Sequence, residues 1–218
     1  EGGRTVDEIS CKSFSKHWVP MSAFSGEVSA TVVTSFPNEI EEIEHTWVPL
    51  SDGTRLAARL WRPIDANTQP VPAILEYIPY CKRDGTAARD EAIHPFFAGH
   101  GFVAVRVDMR GSGESDGIMH DEYLAVEQDD ALEVIAWIAA QAWCDGQVGM
   151  MGKSWGGFNG LQVAAHRPPA LKCIISVYST DDRYADDVHY MVVVYWLTIR
   201  VGRSRCLRLT RARPIRRW

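Results

Sequence analysis

Ser154 stands in Gly152-Lys153-Ser154-Trp155-Gly156-Gly157, a spacing whose residue types suggest covalent chemistry. A serine with glycines two before and two after fits a nucleophile elbow, a sharp strand-to-helix turn that lifts the hydroxyl above a sheet edge. The glycines matter because so tight a turn brings neighbouring backbone against any Cβ placed there. The flanks agree: apolar Val148-Gly149-Met150-Met151 precedes the turn, and Phe158 to Ala165 reads as a helix. The competing reading is a glycine-rich turn whose serine only caps that helix. A serine nucleophile needs a base, a group to orient the base, and donors for the oxyanion. The backbone N–H of Trp155, next in the chain, is the donor such a turn supplies. A second donor should come from the loop after the third strand, which is Pro79-Tyr80. The Tyr80 hydroxyl would either donate to the oxyanion or close the edge of the core.

The elements that must position these residues follow from hydrophobic period. Ile43 to Leu50 alternates, Ser51-Asp52-Gly53-Thr54 supplies turn chemistry, and Leu56 to Trp61 forms a second strand, so this is a hairpin. His45, in an alternating strand, reads as a surface or structural residue. Ala73 to Ile78 and Phe102 to Asp108 are apolar runs of buried-strand type, separated by helix-prone Thr86 to Gly99. A glycine-rich loop from Met109 to Gly117 follows. Glu122 to Trp143 spaces Leu124, Ala131, Leu132, Ile135, Trp137 and Ile138 as an amphipathic helix. Lys172 to Val177 gives one more strand beyond Pro168-Pro169. Strands alternating with helix-length segments predict an α/β fold, a mostly parallel sheet with an antiparallel start. Asp108 and Arg110, charged residues at a strand end among glycines, read as a pair that fixes a loop.

Composition bounds the rest. A chain of 218 residues can bury one substantial core. Its five cysteines include no C-x-x-C pair, which predicts reduced thiols and no metal site. No run is long enough for a membrane span and no basic-then-apolar start precedes the domain, so a cytoplasmic protein is expected. Residues 1 to 37 lack any period and read as a poorly ordered or foreign lead-in. The formal net charge is −5, yet no acidic residue follows Asp187, and eight arginines stand between Arg200 and Arg217. Such an asymmetry can mark a nucleic-acid or membrane-binding tail.

Several motifs now stand in one order. They are Ser51-Asp52-Gly53-Thr54-Arg55-Leu56-Ala57-Ala58, Ile78-Pro79-Tyr80 with Lys82-Arg83-Asp84-Gly85, and Asp108-Met109-Arg110-Gly111-Ser112-Gly113. The elbow and Ser179-Thr180-Asp181-Asp182-Arg183-Tyr184 complete the set. From about Ile40 to Met191 the chain resembles the CocE/NonD family, which includes cocaine-esterase-like acyl hydrolases and Xaa-Pro dipeptidyl-peptidases. The resemblance implies an α/β-hydrolase fold, incomplete here because the last strands, the cap and a C-terminal β domain are absent. It implies Ser154 as nucleophile and a Tyr80 hydroxyl that donates to the oxyanion. The implied substrate is a small ester, amide or peptide, with no metal or organic cofactor, no nucleic acid and no membrane partner. By the same resemblance the triad acid lies further along the chain, so Asp181, Asp182, Asp186 and Asp187 belong to loop or cap contacts.

The departure from the family is the base. Triad order in this fold is Ser, then Asp or Glu, then His. After Ser154 only His166 and His189 remain, and His166 lies about three helical turns along the elbow helix, roughly 18 Å away. His17, His94, His100 and His120 precede the serine and fit no family role. Triad acid and base are therefore expected to be absent from this chain. The tail explains why. With permitted codons chosen for Val192 to Trp218, restoring one base after the Met191 codon can give a Gly-Gly-Cys-Leu-Leu type continuation that resembles the family's, and an arginine-rich, acid-free stretch is what GC-rich coding gives out of frame. The domain is thus expected over 38–191, with a frameshifted tail over 192–218. Two other readings stand beside a serine hydrolase. One is a non-catalytic truncated domain. The other is a basic-tailed nucleic-acid binder, whose retention on DNA would fall steeply with salt.

Overall fold

In a computed structural model, which describes residues 35–182, the chain begins with the expected hairpin. Strand β1 (Ile40–Pro49) pairs antiparallel with β2 (Arg55–Pro63), and the Leu50 N–H donates to the Thr54 carbonyl at 2.8 Å across the turn. Then come β3 (Val71–Ile78), α1 (Ala87–Gly99), β4 (Val103–Asp108), α2 (Ala125–Ala139), β5 (Cys144–Lys153), α3 (Trp155–Ala165) and β6 (Leu171–Val177). The sheet order is β1-β2-β4-β3-β5-β6, with β2 antiparallel to β4 and the four strands from β4 to β6 parallel. This is the α/β fold with an antiparallel start.

Alternation along the strands divides the core between two faces. Leu56, Leu60, Leu75, Val105 and Met150 pack with Val134, Ile135 and Ile138 of α2 and Val163 of α3. Trp61 and Ala104 face the other way, against Ala98 and Phe97 of α1. All six residues of β4 are buried, because helices cover the sheet on both faces at that point. Strand β6 is different. Its outer edge has no partner among the described residues, and Ile175 and Val177 are 56% and 39% exposed.

Boundaries differ from the sequence reading in two places. Helix α2 stops at Ala139, since Trp143 continues the apolar spacing from a turn, where it packs edge-on to Trp137 at 6.3 Å. Strand β5 starts at Cys144, earlier than its apolar run, because an irregularity in the pairing with β3 accommodates Asp145-Gly146-Gln147. Cys81, Cys144 and Cys173 are free thiols. No helix of the described residues is long and apolar enough to cross a membrane. The lead-in before Ser35, His17, Asp186, Asp187, His189 and the arginine-rich tail lie outside the described residues.

Candidate active site

Strand β5 delivers Ser154 into the turn before α3 with φ 57° and ψ −116°. Side-chain-bearing residues rarely adopt this backbone, and it persists only where surrounding structure over-determines it. Here the Ser154 N–H donates to the Val177 carbonyl at 2.8 Å, and the Ser154 carbonyl accepts the Phe158 N–H at 3.0 Å. A Cβ on Gly152 would run into the Gly156 backbone, and one on Gly156 would lie 2.5 Å from the Ile78 Cγ2. Ser154 occupies the N-cap position of α3, yet its side chain makes no capping hydrogen bond. The helix-cap reading of this serine therefore fails, and its hydroxyl stands at the C-terminal edge of the sheet.

Trp155 opens α3, where the first N–H groups have no partner within the helix. Its indole is buried, lies 5.2 Å from the Tyr123 ring, and donates its Nε1–H to Glu127 Oε2 at 3.1 Å. Glu127 Oε1 accepts the Tyr123 N–H at 2.8 Å. Burial pushes the Glu127 carboxyl up to about 7, against the three N–H groups of Trp155, Tyr123 and Leu124 that favour its charged form.

Tyr80 leaves the end of β3, the strand beside β5. Leu75 pairs with Met150, so the parallel register carries Ile78 alongside Lys153 and brings Tyr80 and Ser154 to one sheet edge. Tyr80 is half-buried against the main core. Its loop is pinned on both sides by buried charge. The Arg106 guanidinium donates to the Ile78 carbonyl at 3.3 Å, and Asp108 Oδ1 accepts the Lys82 N–H at 2.7 Å. Arg106 and Asp108 lie 3.5 Å apart. Asp108 Oδ2 also accepts the Glu114 N–H at 3.3 Å, which ties the glycine-rich loop after β4 to the Tyr80 loop. Burial pushes the Asp108 carboxyl up, while Arg106 and the two N–H donors pull it down.

Asp108 and Arg110 each fix a loop, but not as a pair. Arg110 reaches over the sheet edge to Asp130 of α2 at 2.7 Å and to Asp52 of the first hairpin at 2.7 Å. Asp108 stays beneath the edge with Arg106.

Four of the five described histidines are engaged elsewhere. His166 caps the far end of α3, exposed and hydrogen-bonded to Gln128 at 2.8 Å. His45 lies on β1, four strand positions from β5 and so about 19 Å across the sheet, with Glu114 at 3.5 Å. His94 is buried on α1, stacked on Trp61 at 4.8 Å, with Nδ1 on the Asp90 carbonyl. His100 bonds the Phe96 carbonyl and His120 is exposed. Glu76, Asp90 and His94 bring potential metal-ligand atoms within 4.8 Å of one another. Arg89 and Arg106 already hold both carboxylates, so that cluster is a charge-balanced buried network and a poor cation site. A cavity of about 440 Å³ lined by Ala164, Arg167, Pro168, Leu171 and Ile174 opens at the opposite end of α3 from Ser154.

Comparison with known proteins bears on the family and the fold. The model of the family described as X-Pro dipeptidyl-peptidase (S15 family) matches residues 52–200. The cocaine esterase of a Rhodococcus species is 38% identical over 140 residues, which are 63% of this chain and 23% of that esterase. A CocE/NonD family hydrolase from Staphylococcus aureus superposes with a TM-score of 0.65 at 24% identity, over 78% of this chain and 34% of that one. An alpha-amino acid ester hydrolase superposes with a TM-score of 0.53 at 23% identity, over 73% and 28%. These solved structures carry the fold, an α/β-hydrolase sheet and its helices. The chain spans 23% to 34% of the length of these relatives.

Proposed function

This chain belongs to the S15 family of X-Pro dipeptidyl-peptidases, within the CocE/NonD group of hydrolases, and from that membership we propose a serine acyl-transfer mechanism centred on Ser154. The observation that carries it is the Ser154 backbone at φ 57° between β5 and α3, with no capping bond from its side chain. In this reading the Ser154 oxygen attacks the carbonyl of an ester, amide or Xaa-Pro peptide. The tetrahedral oxyanion takes hydrogen bonds from the Trp155 backbone N–H and the Tyr80 hydroxyl. The leaving group departs to give an acyl-serine, and water then hydrolyses it. The shared sheet edge of Tyr80 and Ser154 supports the pairing of roles. Identity to the Rhodococcus esterase favours esters, while the family model favours peptides after proline.

In this reading no residue of this chain serves as the triad base: the sequence after Ser154 holds only the histidines His166 and His189, and His166 is bonded to Gln128 at the far end of α3. A neutral hydroxyl with no base is a weak nucleophile, so the 218-residue product should hydrolyse p-nitrophenyl acetate no faster than its Ser154→Ala variant. Robust turnover that vanishes in Ser154→Ala would show that some residue here replaces the histidine. Joined to a C-terminal segment that supplies acid and histidine, the chain should turn over the ester. Ser154→Ala should then lower turnover by a factor on the order of 10⁶. Turnover untouched by Ser154→Ala in that longer chain would overturn the assignment.

A further inference from the structure

We propose that Glu127 is a positioning residue for the oxyanion hole: its carboxylate anchors the Trp155 indole and so fixes the direction of the Trp155 backbone N–H. The inference rests on the reading of Trp155 as an oxyanion donor. Its own support is geometric. Glu127 stands in the first turn of α2, buried, and reaches across to α3 at 3.1 Å. One oxygen holds the indole and the other holds the Tyr123 N–H, whose residue is itself turned to φ 60° and packs its ring on the same indole. The Trp155 ring is thus held by a hydrogen bond at its edge and by an aromatic face. Trp155 is the first residue of α3, directly after the strained Ser154. A fixed side chain there limits how far its peptide plane can rotate, and an oxyanion donor works only when preorganised toward its target.

A carboxylate that only capped α2 would need no partner on α3. The Tyr123 and Leu124 N–H groups already account for the capping contacts. The bond to the indole is the additional feature, and it crosses from one helix to the other. It also carries a proton dependence. The charged carboxylate accepts from all its donors, whereas protonation converts one oxygen into a hydroxyl and leaves a neighbouring N–H without its acceptor. The groups that face Glu127 are the Trp155 indole from α3, the buried Tyr77 phenol from β3 and Glu122 from the preceding loop, and Tyr77 in turn neighbours Asp130 of α2 with its partner Arg110. Among these, Tyr77 keeps its proton, since burial pushes its phenol up. Asp130 is balanced by Arg110. Glu127 is thus the group of this cluster placed to change charge near neutral pH.

The test uses the full chain labelled with ¹⁵N and needs no turnover. The Trp155 indole N–H, the Trp155 backbone N–H and the Tyr123 backbone N–H should titrate together, with a midpoint near that of Glu127. In Glu127→Gln the titration should vanish, and exchange of the residue-155 amide should accelerate roughly tenfold, the scale of one charge-assisted hydrogen bond. In Trp155→Phe the same Glu127→Gln change should alter the residue-155 amide by less than a third as much. Equal effects in the two backgrounds would mean that Glu127 serves α2 alone, and the proposal falls. A pH-independent indole resonance overturns it as well. Should Glu127→Gln not fold, Trp155→Phe removes the same bond from the other side. The Tyr123 amide should then report a higher Glu127 midpoint, because a donor to the charged form is gone, and an unmoved midpoint defeats the anchor. A failed anchor leaves the oxyanion role to the hydrolysis assays, so the two readings fail separately.

Discussion

An added methyl group would meet different neighbours at the two elbow glycines that stand two positions either side of Ser154. At Gly156 an added Cβ meets the branch methyl Cγ2 of the buried Ile78 side chain at 2.5 Å, a contact with one side chain that a change of its rotamer can relieve. Gly156→Ala should cost about 1–3 kcal/mol, the range of modest overpacking, and should leave the fold intact. At Gly152 the same Cβ meets the Gly156 backbone, which cannot move without opening the turn. Gly152→Ala should cost clearly more, to the point of poor folding. Urea unfolding of the two variants checks the order, and a Gly152→Ala protein as stable as Gly156→Ala would mean that the turn is looser than drawn. These glycines were legible in the sequence because their constraint is local, set by residues two positions from Ser154. Glu127 was not legible. It precedes Trp155 by 28 residues and its partner is met only after α2 and α3 pack, so no spacing in the chain announces the contact. The one trace is its place in the first turn of a helix, where an acidic residue is ordinary.

At the scale of elements, the Asp108 carboxylate joins the loops after β3 and β4, beside the ion pairs of Glu114 with Lys82 and Arg83. Asp108 accepts the N–H of Lys82 on one side and of Glu114 on the other, and it neutralises Arg106, whose guanidinium holds the Ile78 carbonyl. Asp108→Asn keeps the size of the side chain and removes the charge. Arg106 retains Asp90 at 3.2 Å, so the loss should stay somewhat below that of stripping a buried ion of every partner, about 2–4 kcal/mol. Denaturant unfolding measures it, and a change within experimental scatter would assign these loops to packing rather than to charge. Strand and helix order was readable from hydrophobic period and turn residues, since each element carries its own signal. The ends were less readable. Trp143 extends the apolar spacing of α2 although it belongs to the turn, because a side chain can face the core from a turn as well as from a helix. The partners of Asp108 and Arg110 were misjudged for a similar reason. Two residues so close in sequence suggest a pair, but one is held below the sheet edge by Arg106 and the other reaches over it to α2.

At the scale of the whole molecule, the sheet is finished on one side and open on the other. On the β1 side, charged residues line the last strand: Glu41 pairs with Arg62 at 2.8 Å and Arg59 with Glu42, which guards an edge against further pairing. On β6 the single charged residue, Lys172, turns to the Pro169 carbonyl near the start of the strand, and the rest of the strand carries none. Ile175 is 56% exposed, Val177 39% and Tyr178 78%, and the unpaired edge of β6 offers main-chain donors and acceptors to any strand that approaches. Exposed β-branched residues on an open edge are a template for association between copies. The chain should therefore self-associate as concentration rises, as read by sedimentation velocity or light scattering. Ile175→Lys places a charge at the most exposed β-branched position of that strand and buries nothing. It should reduce association at least severalfold while moving the unfolding midpoint little, since surface substitutions usually stay within about 0.5 kcal/mol. A wild-type chain that remains monomeric at high concentration would show that the β6 edge is covered in solution. An Ile175→Lys variant that associates as strongly as the wild type would place the contact on another surface.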